Sequence, residues 1–355
     1  MRRLAVQFVL GAALAAVALG WLWRHIASSS DLTPAQLLAL VADVPLWAWA
    51  AYAAMFGAVH ALRTWRWVLQ LRPLGERDWR LTTRVCLVGY AAIVVFPFRL
   101  GELVRPFLLA ARSPRVPFAA ALGTAVVERV VDGLVITGLL WLAVATAPFP
   151  GAAVVRAAGQ ASALVFLAAS FGLGLFVWRR DTAVWLLGAS TAPVSWLAKR
   201  ALGRDIGLAA KLESLLHEFV GGVSSLVRDG GFATFLALTV AYWGVNALGM
   251  WVLAGAFGIQ FPVLASVGVL AVLVVGLMVP SASGFIGTFQ IFLVEGMRLY
   301  VADSPATGAS MLAMAVAMNA VQLVIQIGAA FPAMRGLNMT WGDMMRAQRD
   351  AQDAR

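Results

Sequence analysis

"VVFPFRLGELVRPFLLA", residues 94–110, decides how the chain is read. It is apolar enough to enter a bilayer, yet it carries Arg99, Glu102 and Arg105, flanked by Pro97 and Pro106. Suppose 85–110 were a lone helix in lipid. Its fourteen Val, Ile, Leu and Phe residues would contribute roughly 4–8 kcal/mol at ~0.3–0.6 each. Three charges at mid-membrane would cost roughly 8–10 kcal/mol at ~2.5–3.5 each. A plain lipid-facing span is therefore not favoured, and the charges need partners, water or a shallower path. Pro97 removes a helical hydrogen bond, and Gly101 opens backbone turns closed to other residues. Together they suggest two half-helices meeting in a hairpin, the second beginning near Arg99. Such irregular backbone survives at membrane depth only inside protein or beside a wet cavity.

The rest of the chain supports a membrane setting. Of its 355 residues, 61% are hydrophobic and 12% charged, about half the charge content of a soluble domain. The fold class expected is an all-α polytopic membrane protein. Full spans are expected near 4–23, 44–70, 118–147, 157–178, 232–257 and 306–331, each near the ~20 residues that cross a bilayer. The basic start, "MRRLAVQF", resembles a signal peptide, but its apolar part is long, so an uncleaved first helix is expected. Two further segments, 82–112 and 263–299, are each interrupted by Pro-x-x-x-Gly and are read as re-entrant. Cys86 is the only cysteine, which excludes an intrachain disulfide and a cysteine metal site. The net charge of +10 is mostly arginine at span ends, a topology signal and not a nucleic-acid footprint. With the N-terminus cytoplasmic, Arg63, Arg66, Arg72, Arg77, Arg80, Arg84, Arg112, Arg115 and Arg335 fall on the cytoplasmic side. Both termini are then inside, and treating either broken segment as a full crossing worsens the asymmetry.

Residues 181–230 are more polar. Leu208, Leu212, Leu215, Leu216, Phe219, Val223 and Leu226 recur there at helical spacing, which reads as an interfacial amphipathic linker or a gate. The organisation expected is one transmembrane domain over 1–335 and a polar, frayed tail over 336–355. Trp21, Trp23, Trp47, Trp49, Trp65, Trp67 and Trp341 fall near expected interfaces as a belt. An internal repeat pairs about 44–147 with about 232–331. "GAVHALRTW" (57–65) aligns with "GVNALGMW" (244–251), setting His60 against Asn246. "VFPFRLGE" (95–102) aligns with "MVPSASGF" (278–285), setting Pro97 against Pro280 and Gly101 against Gly284. In the topology above the two repeats are inverted, as in many transporters.

The chemistry concentrates in two places. Arg99, Glu102 and Arg105 share a broad helix face, so Glu102 can pair with either arginine. Next comes "ERVVDG", with Glu128 and Asp132 on one face and Arg129 about 100° round. Two readings of this set coexist: a self-neutralising salt-bridge network that holds the hairpin, and a polar cavity that binds a headgroup. The second hairpin, "VPSASGFIGTFQ", offers Ser281, Ser283, Gly284, Gly287, Thr288 and Gln290. It reads either as close packing through small residues or as a neutral wall facing substrate. His60 sits mid-span, as a hydrogen-bonded core residue or as a relay with Asn246. No spacing suits a metal, no nucleophile–base–acid set is visible, and no cofactor is expected.

The order "FPFRLGELVRP", "ERVVD", "VPSASGFIGTFQ", with the "LRTWRW" end of the second span, resembles the lysylphosphatidylglycerol synthase transmembrane region, a flippase-like family. The resemblance covers nearly the whole chain. It implies a lipid-translocating fold with inverted repeats and re-entrant hairpins in the bacterial inner membrane. It also implies a polar-cavity role for Arg99, Glu102, Arg105, Glu128, Arg129 and Asp132. The best-known members add a cytosolic aminoacyl-transfer domain that these residues lack, so lipid aminoacylation is not expected. The family pattern has Pro-Gly-Gly near 283–285 and a glutamate near 290; here stand Ser283, Gly284, Phe285 and Gln290. The expectation is a transporter of a phosphate-bearing lipid, not an enzyme. Its expected partners are membrane lipids, and a lipid-synthesis enzyme or a second copy of the chain. An organic-anion transporter, a scaffold and a lipid-modifying transferase are the rivals.

Overall fold

The computed structural model describes residues 33–146, 217–224, 230–278, 281–302 and 304–343, with short stretches elsewhere and only the backbone at 98–100 and 143–146. Most of the expected spans 4–23 and 157–178 and of the 181–230 linker lies outside these residues. Every element described is helical. They are α1 (Pro34–Ala42), α2 (Leu46–Leu71), α3 (Trp79–Val95), α4 (Val104–Arg112), α5 (Phe118–Thr146), α6 (Phe232–Ala256), α7 (Val263–Leu277), α8 (Thr288–Arg298) and α9 (Pro305–Gly336).

Length and composition assign their roles. Among the described residues, α6 and α9 are each long and apolar enough to cross a bilayer. α1 and α2, bent by 84° at the break before Pro45, make a third candidate. By contrast α7 has only 15 residues. At 1.5 Å per residue it reaches about 22 Å, short of the ~30 Å hydrocarbon core. The protein is a polytopic, all-helical membrane protein.

The two interrupted segments each fold back on themselves. Between α3 and α4 lies a 3₁₀ stretch, Pro97–Leu103. Pro97 does not break a helix; it opens this stretch at its first position, where a missing N–H costs nothing. The second α-helix begins at Val104, five residues later than the sequence suggests. Gly101 is needed for proximity, not for a left-handed turn. A Cβ there would lie 2.1 Å from the Ala92 carbonyl oxygen. Likewise a Cβ on Gly89 would lie 2.8 Å from the Arg105 Cβ. Residue 92 therefore faces 101 and 89 faces 105, an antiparallel hairpin. In the second hairpin a Cβ on Gly276 would strike the Phe292 ring at 1.9 Å, and Gly296 closes on Val269. Its tip uses left-handed backbone at Gly284 (φ 69°) and Gly287 (φ 87°), where glycine is at ease. Phe285 between them also has φ 57°, a strained value for a bulky side chain. Pro280 lies outside the described residues. The tips of the two hairpins touch.

Between the repeats, the order long helix, short helix, 3₁₀ tip, short helix, long helix occurs twice. α2 and α6 pack along each other in opposite directions: Arg66 meets Thr239, while Tyr52 and Met55 meet Gly249. Among the described residues the interior has two apolar clusters. One joins α2, α5, α6, α7, α8 and α9; the other joins the end of α2 with α3, α4, the start of α5 and the end of α9.

Three expectations about the periphery change. Trp67 is fully buried, and its indole N–H donates to Thr124 Oγ1 at 2.9 Å, so it belongs to the core and not to a belt. Trp47 and Trp65 are exposed as a belt requires. The tail does not fray at Gly336: Leu337 and Met339 are buried, and Trp341 packs edge-on against Phe331. The Arg84 guanidinium donates to the Gly336 carbonyl at 2.9 Å, and Arg112 donates to that of Leu337. Cations are favourable at a helix C-terminus. Within the linker, 217–224 is helical and docks on α5, where Gly222 meets Ala120 and Gly123 meets Phe219. Its buried face carries Val220 and Val223, while Leu215 is exposed.

Gly101→Ala should lower thermal stability in detergent by about 1–3 kcal/mol, the usual cost of overpacking. Gly138→Ala, whose Cβ would enter open space, should leave the melting temperature unchanged. Equal melting of both variants would remove the close-approach role of Gly101.

Candidate functional site

The charged residues meet where α2, the first hairpin, α5 and α6 converge. Arg66 is 1% exposed. Its guanidinium grips Asp132 with two hydrogen bonds, at 2.5 and 3.1 Å, and donates to Thr239 Oγ1 at 3.0 Å. The rings of Phe235 and Tyr242 lie 5.0 and 4.9 Å from the same guanidinium. Its Nε stands 3.7 Å from Glu128. Glu128 in turn takes a hydrogen bond from Arg105, which is 4% exposed and stacks on Trp67 at 4.4 Å. Planar guanidinium groups suit such paired and stacked contacts better than ammonium groups do. The chain Asp132–Arg66–Glu128–Arg105 links α5, α2 and α4 through groups removed from water.

A second, wetter layer lies beside it. Arg129 Nε is 3.3 Å from Glu102, and Arg129 Nη1 is 3.6 Å from Asp132. Glu102 and Arg129 are half-buried. Glu102 thus pairs with Arg129 of α5. The side chain of Arg99 lies outside the described residues.

This layer faces a cavity of about 200 Å³ between the two hairpins. Glu102, Arg129 and Asp132 line it; Arg105 and Glu128 sit behind its wall. From α2 come His60 and Arg63, and from α6 Tyr242 and Asn246. The second hairpin contributes Phe285 and Phe289, and α9 contributes Asn319, Gln322 and Gln326. Arg63 stacks on Tyr90 at 4.5 Å and makes no ion pair among the described residues. Across the whole cluster, four arginines (63, 66, 105, 129) face three carboxylates (102, 128, 132). The described side chains therefore leave one positive charge over, and the cation without a carboxylate lines the cavity.

Arg63 and Arg66, which the charge pattern reads as cytoplasmic topology charges, stand in this cluster: Arg66 is buried and Arg63 lines the cavity. They fall inside the expected span 44–70, and arginines within a span face protein or water by necessity. That spacing was the available signal.

The second hairpin is tied up internally. Gln290 accepts from the Gly287 N–H at 2.7 Å and donates to Asn319 at 3.1 Å. Asn319 donates to the Gly284 carbonyl at 3.1 Å. Gln290 therefore latches the tip to α9 and does not line the cavity. Ser281 and Ser283 do not line it either. Ser281 is buried, with its hydroxyl unpartnered among the described residues. His60 Nδ1 pairs with the Phe56 carbonyl at 3.0 Å. Since a carbonyl only accepts, the proton sits on Nδ1 and leaves Nε2 as an acceptor. Asn246 stands on the same cavity wall.

A family model described as "Lysylphosphatidylglycerol synthase TM region" matches residues 8–329. The chain belongs to that family. The match covers most of the chain and takes in every member of the charged cluster. The family is a membrane domain linked to lipid modification and flipping. No curated protein and no solved structure matches significantly.

Asp132→Leu should strip Arg66 of its bidentate partner and cost about 3–5 kcal/mol, as breaking a buried pair does. Arg66→Met combined with Asp132→Leu should recover most of that loss. Thermal unfolding in detergent checks both; a double variant no more stable than Asp132→Leu would show that the pair does not act as a unit.

Proposed function

We propose that this chain moves a phosphate-bearing lipid or lipid-linked precursor across the bacterial inner membrane, by way of the cavity between its two hairpins. The observation that carries the reading is Arg63, a cavity-lining arginine with no carboxylate partner among the described residues, in a cluster with one surplus positive charge. A guanidinium on an aromatic face is well suited to bind phosphate oxygens. Glu102 and Arg129, half-exposed to the cavity, would exchange partners with a headgroup at small cost. Arg105, Glu128 and Arg66 would hold the walls and touch no substrate.

In this reading both hairpins are re-entrant, six spans cross fully, and the repeats are inverted with both termini cytoplasmic. The antiparallel packing of α2 on α6 supports the inversion, as does the repeated element order. Arg84, Arg112 and Arg335 gather at one end of the bundle, which supports a cytoplasmic end there. The protein acts as a transporter, not an enzyme, with lipids as its main partners. A lipid-synthesis enzyme or a second copy of the chain is a secondary partner.

The test is reconstitution in liposomes with fluorescent glycerophospholipid and polyprenyl phosphate probes. Wild type should move a probe between leaflets faster than protein-free vesicles. Arg63→Gln should slow it at least tenfold while melting normally, and Glu102→Gln should also slow it. Wild-type rates in Arg63→Gln would remove Arg63 from the mechanism. Uptake of a soluble organic anion without lipid movement would favour the solute-transporter reading instead.

A further inference from the structure

Beside the cavity runs an apolar groove of about 550 Å³ bounded by α2, α3 and α9. Along α2 and its C-cap its residues form one stripe: Gly57, Ala61, Thr64, Val68 and the capping Arg72, three or four apart and so on one face. On α3 the stripe is Trp79, Thr83, Leu87 and Tyr90. The two helices run in opposite senses, so Arg72 and Trp79 mark one end, with Gly57 and Tyr90 at the other. The distance from Gly57 to Arg72 is about 22 Å along the helix. That exceeds the ~15 Å that one leaflet contributes to the hydrocarbon core. Trp65 and Trp79 are 54% and 60% exposed. Indoles beside an arginine are what a membrane–water interface selects.

The groove and the cavity share a wall made by His60, Tyr90 and Gln326. His60 Nε2 and the Tyr90 hydroxyl make no hydrogen bond among the described residues, though Gln326 and the Cys86 thiol stand near them. Both side chains are more than nine-tenths buried. Buried polar atoms without a strong partner are open to water or to a passing ligand group. On the cavity side of the same wall Arg63 lies over Tyr90.

We propose that the groove is the portal through which an anionic phospholipid reaches the cavity from its leaflet. The acyl chain lies along Gly57, Ala61 and Ala329, the phosphate rests on Arg72 between Trp65 and Trp79, and the headgroup then crosses the His60–Tyr90–Gln326 wall to Arg63. Only that last step rests on the lipid-moving reading of the cavity; occupancy of the groove does not.

The full-length protein in phosphatidylglycerol vesicles, photolabelled with phosphatidylglycerol carrying a tail diazirine, tests this. Peptides spanning 57–72 and 79–90 should be labelled at least fivefold over the outer face of α6 around Val240, which is exposed. Ala61→Trp, which fills the groove, and Arg72→Gln should each erase most of that excess. A diacylglycerol probe with the same diazirine should show none. Even labelling of both faces, or an excess indifferent to Arg72→Gln and to the headgroup, would mean ordinary boundary lipid and overturn the portal. If wild type transfers lipid and Ala61→Trp transfers it equally fast, the portal also falls. Headgroup-dependent labelling without any transfer by wild type would instead sink the translocation reading and leave the portal standing.

Discussion

The architecture depends on arginines that cannot reach water. Arg66 and Arg105 sit 1% and 4% exposed, and the cost of burying them is offset only if each finds its carboxylate in good geometry. Asp132 and Glu128 occupy one face of α5, four residues apart. The pairs can form only when α2, α4 and α5 are brought to one place. Thr239 adds α6 to the same junction. An apolar helix slides in lipid with little penalty, whereas a guanidinium held by two oxygens does not. The ion pairs therefore set the register of helices whose other surfaces are mostly interchangeable alkyl groups.

The two hairpins solve one geometric problem with different chemistry. The first is closed by charge and by glycines that admit a neighbouring backbone or side chain, at Gly101 and Gly89. The second is closed by neutral amides, Gln290 and Asn319, and by left-handed backbone at its tip. At position 290 this chain uses an amide that both donates and accepts inside the protein. A carboxylate could not donate to Asn319 while ionised. The amide thus ties the second hairpin to α9 internally, and the charged lining of the cavity comes from the first half of the chain.

Much of this was readable in one dimension. Long apolar helices at 44–70, 118–147, 232–257 and 306–331 correspond within a few residues to α2, α5, α6 and α9. The charge cost of 94–110 called for partners, water or a shallower path, and Pro97 with Gly101 suggested the fold-back that the antiparallel approach of 92 to 101 and 89 to 105 shows. Less legible were pairings and side-chain directions. A sequence shows only i, i+3 neighbours, so the pairing of Glu102 with Arg129 on α5 was out of view. Arg63 and Arg66 looked like topology charges because a hydropathy window does not distinguish the end of a span from its interior. Gly101 looked like a turn residue because sequence offers no view of the Ala92 carbonyl above it. Trp67 looked interfacial until its hydrogen bond to Thr124 placed it inside.

α9 touches both halves of the molecule. Near its start it packs on α8, and near its end on α3, where Arg84 and Arg112 hold its last carbonyls. Pro332 lies one turn before that fastened end and removes one hydrogen bond from the helix. The helix is thus a rod clamped at one extremity with a compliant joint just short of the clamp. Its long arm carries the second hairpin through Asn319 and is tied to α2 by the hydrogen bond from Gln322 to the Tyr52 hydroxyl. A bend at Pro332 would therefore be felt first at that neutral bond and not at a buried ion pair.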